Sequence, residues 1–396
     1  MVTLEKIWEA QNALRGVARL TPLNPAPTLG PNVYIKSENL QLTGSFKLRG
    51  AYNKIRLLSA EEQARGVIAC SAGNHAQGIA LSAAKQGIRA VICMPAGAPI
   101  SKIQATKGYG AEVVLVPGVY DDAAAEANRL ADESGYTFAH PFNDPDVIAG
   151  QGTIGLEILE QLPEVEQVVV PIGGGGLISG IACAIKGLHP SCRVVGVQAA
   201  GAPSMSESRK AGKVVQLDSV STIADGIAVK QPGDLTYEMC EQYVDEIVTV
   251  EECEIASAIL ALMEDQKTVA EGAGATAVAA VMFGKVDTST RKTVCVVSGG
   301  NVDVTMLSRV ITKGLTKAGR IVAISTKIPD KPGSLMHLVK VIADMGSNII
   351  GIHHAREDKH SDVSSCIVSM TLETRNRQHI REIEQALAAK GYPLIK

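Results

Sequence analysis

From residue 33 to residue 297 the chain alternates short, nearly continuous apolar runs with longer stretches whose apolar residues recur at helical spacing. The runs at 33–36, 67–70, 90–94, 112–116, 168–172, 193–198 and 293–297 are rich in β-branched residues, the pattern of strands buried on both faces. Between them, 79–86, 121–134, 154–162, 177–188 and 255–264 predict helices, while the residues before about 40 read as a helix, a Pro-rich turn and the first short strand. Strands alternating with helices predict an α/β domain with a largely parallel sheet. After residue 320 the rhythm changes. Strand 321–328, helix 335–345, strands 349–355 and 364–372, helix 379–390 and a final short strand give the βαββαβ order of a ferredoxin-like unit. The polar stretch 313–320 reads as a linker, which divides the chain into domains 1–312 and 321–396.

In parallel sheets ligands bind outside the carboxyl ends of the strands, so the loops at those ends carry the candidate chemistry. Thr43-Gly44-Ser45-Phe46-Lys47-Leu48-Arg49-Gly50 places Lys47 in the first turn of a helix whose Leu48, Ala51, Tyr52 and Ile55 form one apolar face. Gly44-Ser45 supplies a flexible turn and an N-cap. At that end of a helix, burial and the dipole favour a neutral amine, the form that condenses with a carbonyl. Ser71-Ala72-Gly73-Asn74-His75-Ala76-Gln77-Gly78 follows a strand and opens a helix, where backbone N–H groups suit an anion. Gly173-Gly174-Gly175-Gly176-Leu177 does the same, and four glycines in succession point to close approach of backbone to a phosphate. The run fits neither the spaced glycines of a dinucleotide fingerprint nor a P-loop, which argues against NAD and ATP. Ser298-Gly299-Gly300-Asn301 offers a hydroxyl at a strand end.

Composition narrows the setting. The chain has 396 residues, 46% of them hydrophobic, which is ample for buried cores. A net charge of -3 and the absence of any basic-aromatic stripe exclude nucleic acid as the expected partner. The longest apolar runs are strand-sized, short of the roughly 20 residues of a membrane span. Glu5, Lys6 and Glu9 occupy the place where a secretory leader would carry a basic start and an apolar core, so the expected location is cytoplasmic. The eight cysteines form no CxxC pair and read as reduced core residues. His353, His354 and His360 suggest a metal, but adjacent histidines on a strand point to opposite faces, so no metal site is expected.

An imine-forming lysine, a phosphate cradle, a small-anion site and a hydroxyl for a ring nitrogen together describe pyridoxal phosphate and an amino acid. The stretch Lys36-Ser37-Glu38-Asn39-Leu40-Gln41-Leu42 leading into Thr43 to Ala51 resembles the cofactor-lysine signature of the threonine and serine dehydratases, fold type II pyridoxal phosphate enzymes. The other loops, with Ile148-Ala149-Gly150-Gln151-Gly152-Thr153, resemble that family's further motifs in order over about residues 1–312. The resemblance implies two open, mostly parallel sheets. It also implies that Lys47 holds the cofactor and takes the α-proton, that Phe46 packs beside the ring, and that Asn74 bonds its phenolic oxygen. Gly173, Gly174, Gly175, Gly176 and Leu177 would receive the phosphate, Ser298 would face the pyridine nitrogen, and Ser71, Gly73, Asn74 and His75 would bind the substrate carboxylate.

The implied reaction is β-elimination from L-threonine to 2-oxobutanoate and ammonia, with L-serine to pyruvate beside it. Alternatives are a serine dehydratase or racemase of the same fold, or a non-catalytic sensor. Ala72 stands where similar racemases carry a second-face serine, and Ala199 to Ser204 offers no carboxylate for the divalent metal those racemases hold. Glu271 and Asp225 match family segments near the site but are left outside the catalytic set. Asp330-Lys331-Pro332-Gly333-Ser334-Leu335 makes the C-terminal unit resemble an ACT domain, which implies an amino acid effector such as isoleucine or valine, a place in isoleucine biosynthesis, and a homodimer or homotetramer.

Overall fold

The computed structural model describes residues 2–356 and 363–395, so His360 lies outside the described residues. The chain divides into two compact units, 1–304 and 305–396.

The first unit holds two sheets. The larger contains β1 (Leu23–Pro25), β2 (Val33–Ser37), β7 (Gln167–Pro171), β8 (Arg193–Ala199), β9 (Glu246–Val250) and β10 (Thr293–Val297), in the order β1-β2-β10-β7-β8-β9. All its pairs are parallel except β1 with β2. The smaller, wholly parallel sheet contains β3 (Val67–Cys70), β4 (Ala90–Pro95), β5 (Glu112–Val116) and β6 (Thr137–Phe138), in the order β5-β4-β3-β6. The unbroken apolar runs have a direct cause. Val67, Ala69, Ile92 and Met94 pack against Ile79, Ala80 and Ala83 on one face, and Ile68, Cys70, Val91 and Cys93 pack against Ala123 and Ala127 on the other. β9, a half-exposed edge strand, and the two-residue β6 gave no such run.

Helix Pro145–Gln161 begins nine residues before the stretch expected to be helical, at an Asp144 cap that accepts from the N–H groups of Asp146 and Val147. Gly150 and Gly152 sit inside this helix because a neighbour needs the space. A Cβ on Gly150 would stand 2.6 Å from Gly50 Cα, where this helix crosses helix Lys47–Arg56.

That crossing is fastened by buried charge. Arg49 Nε donates to Glu38 at 2.8 Å and its Nη1 to Glu157 at 2.6 Å, while Lys36 Nζ reaches the other Glu157 oxygen at 2.5 Å. Arg49, Lys36 and Glu38 are almost fully buried. The cluster ties β2 and both helices together and fixes the helix that begins at Lys47.

Helix Val304–Lys317 runs from the last residue of the first unit into the second, so part of the expected 313–320 linker is helical. Thr312 and Thr316 side chains donate to the carbonyls of Ser308 and Thr312 and so sit within the helix despite their polarity. Then follow β11 (Ile321–Pro329), helix Ser334–Asp344, β12 (Asn348–Ala355), β13 (Ser365–Glu373) and helix Arg377–Ala389. The sheet is antiparallel in the order β11-β13-β12. The expected last strand is reduced to one bridge, Thr326 with Leu394, beside Pro393, which has no N–H for a ladder. Its core joins Ile324, Ile328, Val368 and Leu372 to Leu338, Ile342 and Ile383 of the helices.

Candidate active site

Lys47 is the first residue of its helix, but the local capping differs from expectation. Phe46, not Ser45, is the cap residue, and no side chain caps the helix. Ser45 is buried, bridges to Gly299, and its hydroxyl meets no protein partner. The preceding turn is held by the third loop instead. Phe46 N–H donates to the Ser298 carbonyl at 3.1 Å, Gly300 N–H to that of Gly44 at 2.9 Å, and the Asn301 amide to that of Thr43 at 2.7 Å. Lys47 Nζ donates to the Pro141 carbonyl at 2.7 Å and lies 5.2 Å from the centre of the Phe46 ring. Desolvation lowers the Lys47 pKa to about 8, against the opposing pull of the Glu271 charge.

The Ser71–Gly78 loop opens helix Asn74–Gln86 as read from the sequence. Gly73 N–H donates to Ser71 Oγ at 3.2 Å, and a Cβ on Gly73 would meet nothing within 4 Å, so this backbone faces open space. Asn74 donates its amide to Glu271 at 2.6 Å and accepts from Asn301 at 2.7 Å. The His75 ring turns away to the Ala139 carbonyl, 2.8 Å from Nε2. Burial, with the Lys47 charge, lowers its pKa to about 3, so this histidine is neutral and offers the loop its backbone.

The four-glycine turn caps helix Gly176–Leu188, whose first N–H groups have no partner within the helix. Gly175 has φ +97°, and a Cβ on Gly174 would stand 2.4 Å from carbons of the Phe142 ring. The Thr236 hydroxyl holds the Gly174 carbonyl at 2.6 Å and thereby fixes the turn from behind.

Phe46, Lys47, Ser71, Gly73, Asn74, His75, the run Gly173 to Leu177 and Ser298 all line one cavity of about 920 Å³. Its size suits a cofactor with a small substrate. The site also fits pyridoxal phosphate chemically. It has one buried amine of lowered pKa, a glycine cradle with no room for side chains, and a neutral hydroxyl at Ser298.

Two residues left outside the catalytic set, Glu271 and Asp225, line the cavity, and a third, His140, escaped the sequence reading. Glu271 lines the cavity as the cap residue of helix Gly272–Met282, and burial raises its pKa to about 7. Its signal was the acidic residue before Gly272-Ala273-Gly274, where a Cβ on Gly274 would stand 2.2 Å from the Gly299 carbonyl oxygen. Asp225 also lines the cavity and pairs with Lys102 at 2.8 Å. His140, whose Nδ1 accepts from the N–H groups of Phe142 and Asn143, orders the loop that presents the Pro141 carbonyl. Among the described residues no helix is long and apolar enough to cross a membrane.

Comparison with known proteins agrees with this geometry. An L-threonine ammonia-lyase of Thermotoga maritima is 52% identical over 396 residues, covering 99% of this chain and 98% of its own. A catabolic L-threonine dehydratase of Escherichia coli is 50% identical over 315 residues, covering 78% of this chain and 96% of its own. Among solved structures, the processed form of threonine deaminase isoform 2 from Solanum lycopersicum is similar at a TM-score of 0.74 and 39% identity, over 79% of this chain and 90% of that one. The family model for pyridoxal-phosphate dependent enzymes matches residues 14–300, and the chain belongs to that family.

Proposed function

We propose that this enzyme is a threonine ammonia-lyase that converts L-threonine to 2-oxobutanoate and ammonia, and L-serine to pyruvate as a second substrate. The observation that carries the reading is the placement of Lys47, with its pKa of about 8, in one cavity with the glycine turn and Ser298. Relatives named for threonine deamination, matched over nearly the whole chain, support it.

When bound, pyridoxal phosphate supplies an aldehyde that captures an amine and a conjugated ring that draws electrons from the substrate α-carbon. Lys47 would hold the group through Nζ and, as a free amine, would serve as the base for the α-proton. An amine titrating near neutrality can both accept and return a proton. The N–H groups of Gly173 to Leu177 would receive the phosphate. Those of Ser71, Gly73, Asn74 and His75 would bind the substrate carboxylate, and the Asn74 side chain would orient the group's phenolic oxygen. Phe46 would pack against the ring. Ser298 would offer the pyridine nitrogen a neutral hydroxyl, which does not enforce protonation and would favour prompt loss of the β-hydroxyl. Ala72 has no proton to give to the opposite face of the α-carbon, which opposes racemisation.

The second unit, with its βαββα order and Asp330-to-Leu335 turn, supports the reading of an ACT-like module that binds isoleucine or valine and adjusts turnover of a cytoplasmic homodimer or homotetramer. The decisive experiment incubates the cofactor-loaded protein with L-threonine and L-serine and follows 2-oxoacid formation. Turnover of both, abolished in Lys47→Ala together with the absorbance of the protein-bound cofactor, is expected. A wild-type protein that releases no 2-oxoacid from either would overturn the reading.

A further inference from the structure

The second unit carries a cluster that the proposed reaction does not use. At one end of its sheet Asp330, His354 and Cys366 each bring a ligand atom to within 4.8 Å of the other two. Register explains the convergence. Cys366 pairs with Ile328, and Asp330 lies two residues beyond Ile328, on the same face. Its N–H extends the ladder to the Ser364 carbonyl at 2.9 Å. His354 pairs with Val368, which lies two residues from Cys366 and shares its face. His353 pairs with Ser369 and belongs to the other face. The further donors come instead from β13 and from the residue that follows β11.

The three side chains form a graded opening. Cys366 is buried at the floor, and His354 and Asp330 are exposed above it. His354 Nε2 lies 2.9 Å from Cys366 Sγ. Arg356 donates to Asp330 Oδ1 from Nε at 3.2 Å and from Nη2 at 3.1 Å, which orients the carboxylate as outer groups orient metal ligands. Around a tetrahedral ion with bonds of about 2.0–2.3 Å, ligand atoms lie roughly 3.3–3.8 Å apart. The His354–Cys366 separation of 2.9 Å lies below that range and the other separations lie within 4.8 Å, so the two exposed side chains bracket the required geometry.

We propose that Asp330, His354 and Cys366 form a binding site for a late first-row divalent cation, of which Zn²⁺ is the natural probe. A thiol and an imidazole together select such an ion over Mg²⁺ or Ca²⁺, which require oxygen ligands. On binding, the Cys366 proton passes to solvent and a sulfur–metal bond replaces the S–H contact to the Ile328 carbonyl, now 3.7 Å. Three protein ligands leave a fourth position open.

The test uses the full-length, cofactor-loaded protein, stripped with a chelator, dialysed against Zn²⁺ with a competing chelator, and assayed for metal per chain. Wild type should retain about one equivalent by virtue of its three ligands. His354→Gln, at an exposed position that leaves the core intact, should bind at least about 10- to 100-fold more weakly, the loss typical even of an outer-shell partner. Cys366→Ala should do the same, and Co²⁺ added to wild type should give a thiolate charge-transfer absorption, in difference spectra against the metal-free protein, that Cys366→Ala lacks. A wild type that holds no metal, or a His354→Gln protein that holds it undiminished, overturns the proposal.

Discussion

Asn74 donates its side-chain amide to the Glu271 carboxylate at 2.6 Å, joining the helix that follows β3 to the start of helix Gly272–Met282. Burial raises the Glu271 pKa to about 7, with the Asp225 charge adding to the rise and the Asn74 bond opposing it. Lys47, whose amine feels the Glu271 charge, titrates at about 8. Two groups of opposite sign in one cavity therefore change charge near neutrality, the environment a proton-transferring amine requires.

The first prediction follows from that coupling. Only the neutral amine of Lys47 attacks an aldehyde, so capture of pyridoxal phosphate by cofactor-free protein should quicken as pH rises through about 8. In Glu271→Gln the midpoint should fall, because the lost negative charge had favoured the ammonium form. Rates of cofactor capture followed by absorbance against pH check both. A midpoint near the ordinary lysine value of about 10.4 in wild type would contradict the assignment.

Local chemistry was legible in the sequence and long-range chemistry was not. Lys47, the glycine turn and Ser298 could be read because each follows a strand within a short, unusual string. Glu271 could be matched to a segment near the site but given no role, because its bond to Asn74 spans 197 positions. Ser45 looked like a cap by residue type alone, yet tertiary bonds from Ser298, Gly300 and Asn301 hold that turn and leave its hydroxyl unused. The helix expected from 154 begins at Pro145, and helical spacing alone does not show the crossing helix that Gly150 accommodates.

Gly174→Ala tests the cradle. The added methyl would collide with the Phe142 ring, and overpacking of this kind costs roughly 1–3 kcal/mol, or about 5- to 150-fold in cofactor affinity. Spectral titration with pyridoxal phosphate measures the loss. Adding Phe142→Ala should recover part of it, whereas a defect in folding would not be relieved.

Arg49→Met tests the clamp behind the lysine helix. It leaves Glu38 buried with Lys36 as its remaining cation, and breaking such a network costs roughly 3–5 kcal/mol. Burial raises the Glu38 pKa, but the Arg49 and Lys36 charges overcome it and hold the carboxyl below its ordinary value. The stabilisation is therefore present at neutral pH and lost as pH falls through the carboxylate range. Urea unfolding of the two proteins should differ most near pH 7 and converge in acid.

Ala72→Ser tests reaction choice. Wild type should form pyruvate from L-serine far faster than D-serine, because Ala72, which lines the cavity, carries no ionisable group. A serine there would supply a proton to the other face, so D-serine should rise in the variant while elimination falls. Chiral analysis after prolonged incubation reads both. Faster D-serine than pyruvate from wild type would refute the role given to Ala72.

The last prediction concerns the second unit. Every residue assigned to cofactor or substrate lies before 302, and the residues from 305 onward form a compact body with its own core. An amino acid bound there can alter threonine turnover only by binding two states of the enzyme unequally, and such coupling is typically 1–3 kcal/mol, roughly 5- to 150-fold. Isoleucine or valine should therefore shift the threonine dependence of the intact protein by a factor in that range. A chain ending at Lys317, the last residue of the first helix of that unit, should keep bound cofactor and deaminate threonine without responding to either. Loss of activity in a truncated protein that still binds cofactor would show that the module contributes to the active state itself. Indifference of the intact protein to both amino acids would leave assembly, measured by sedimentation equilibrium of the intact and shortened chains, as the module's role.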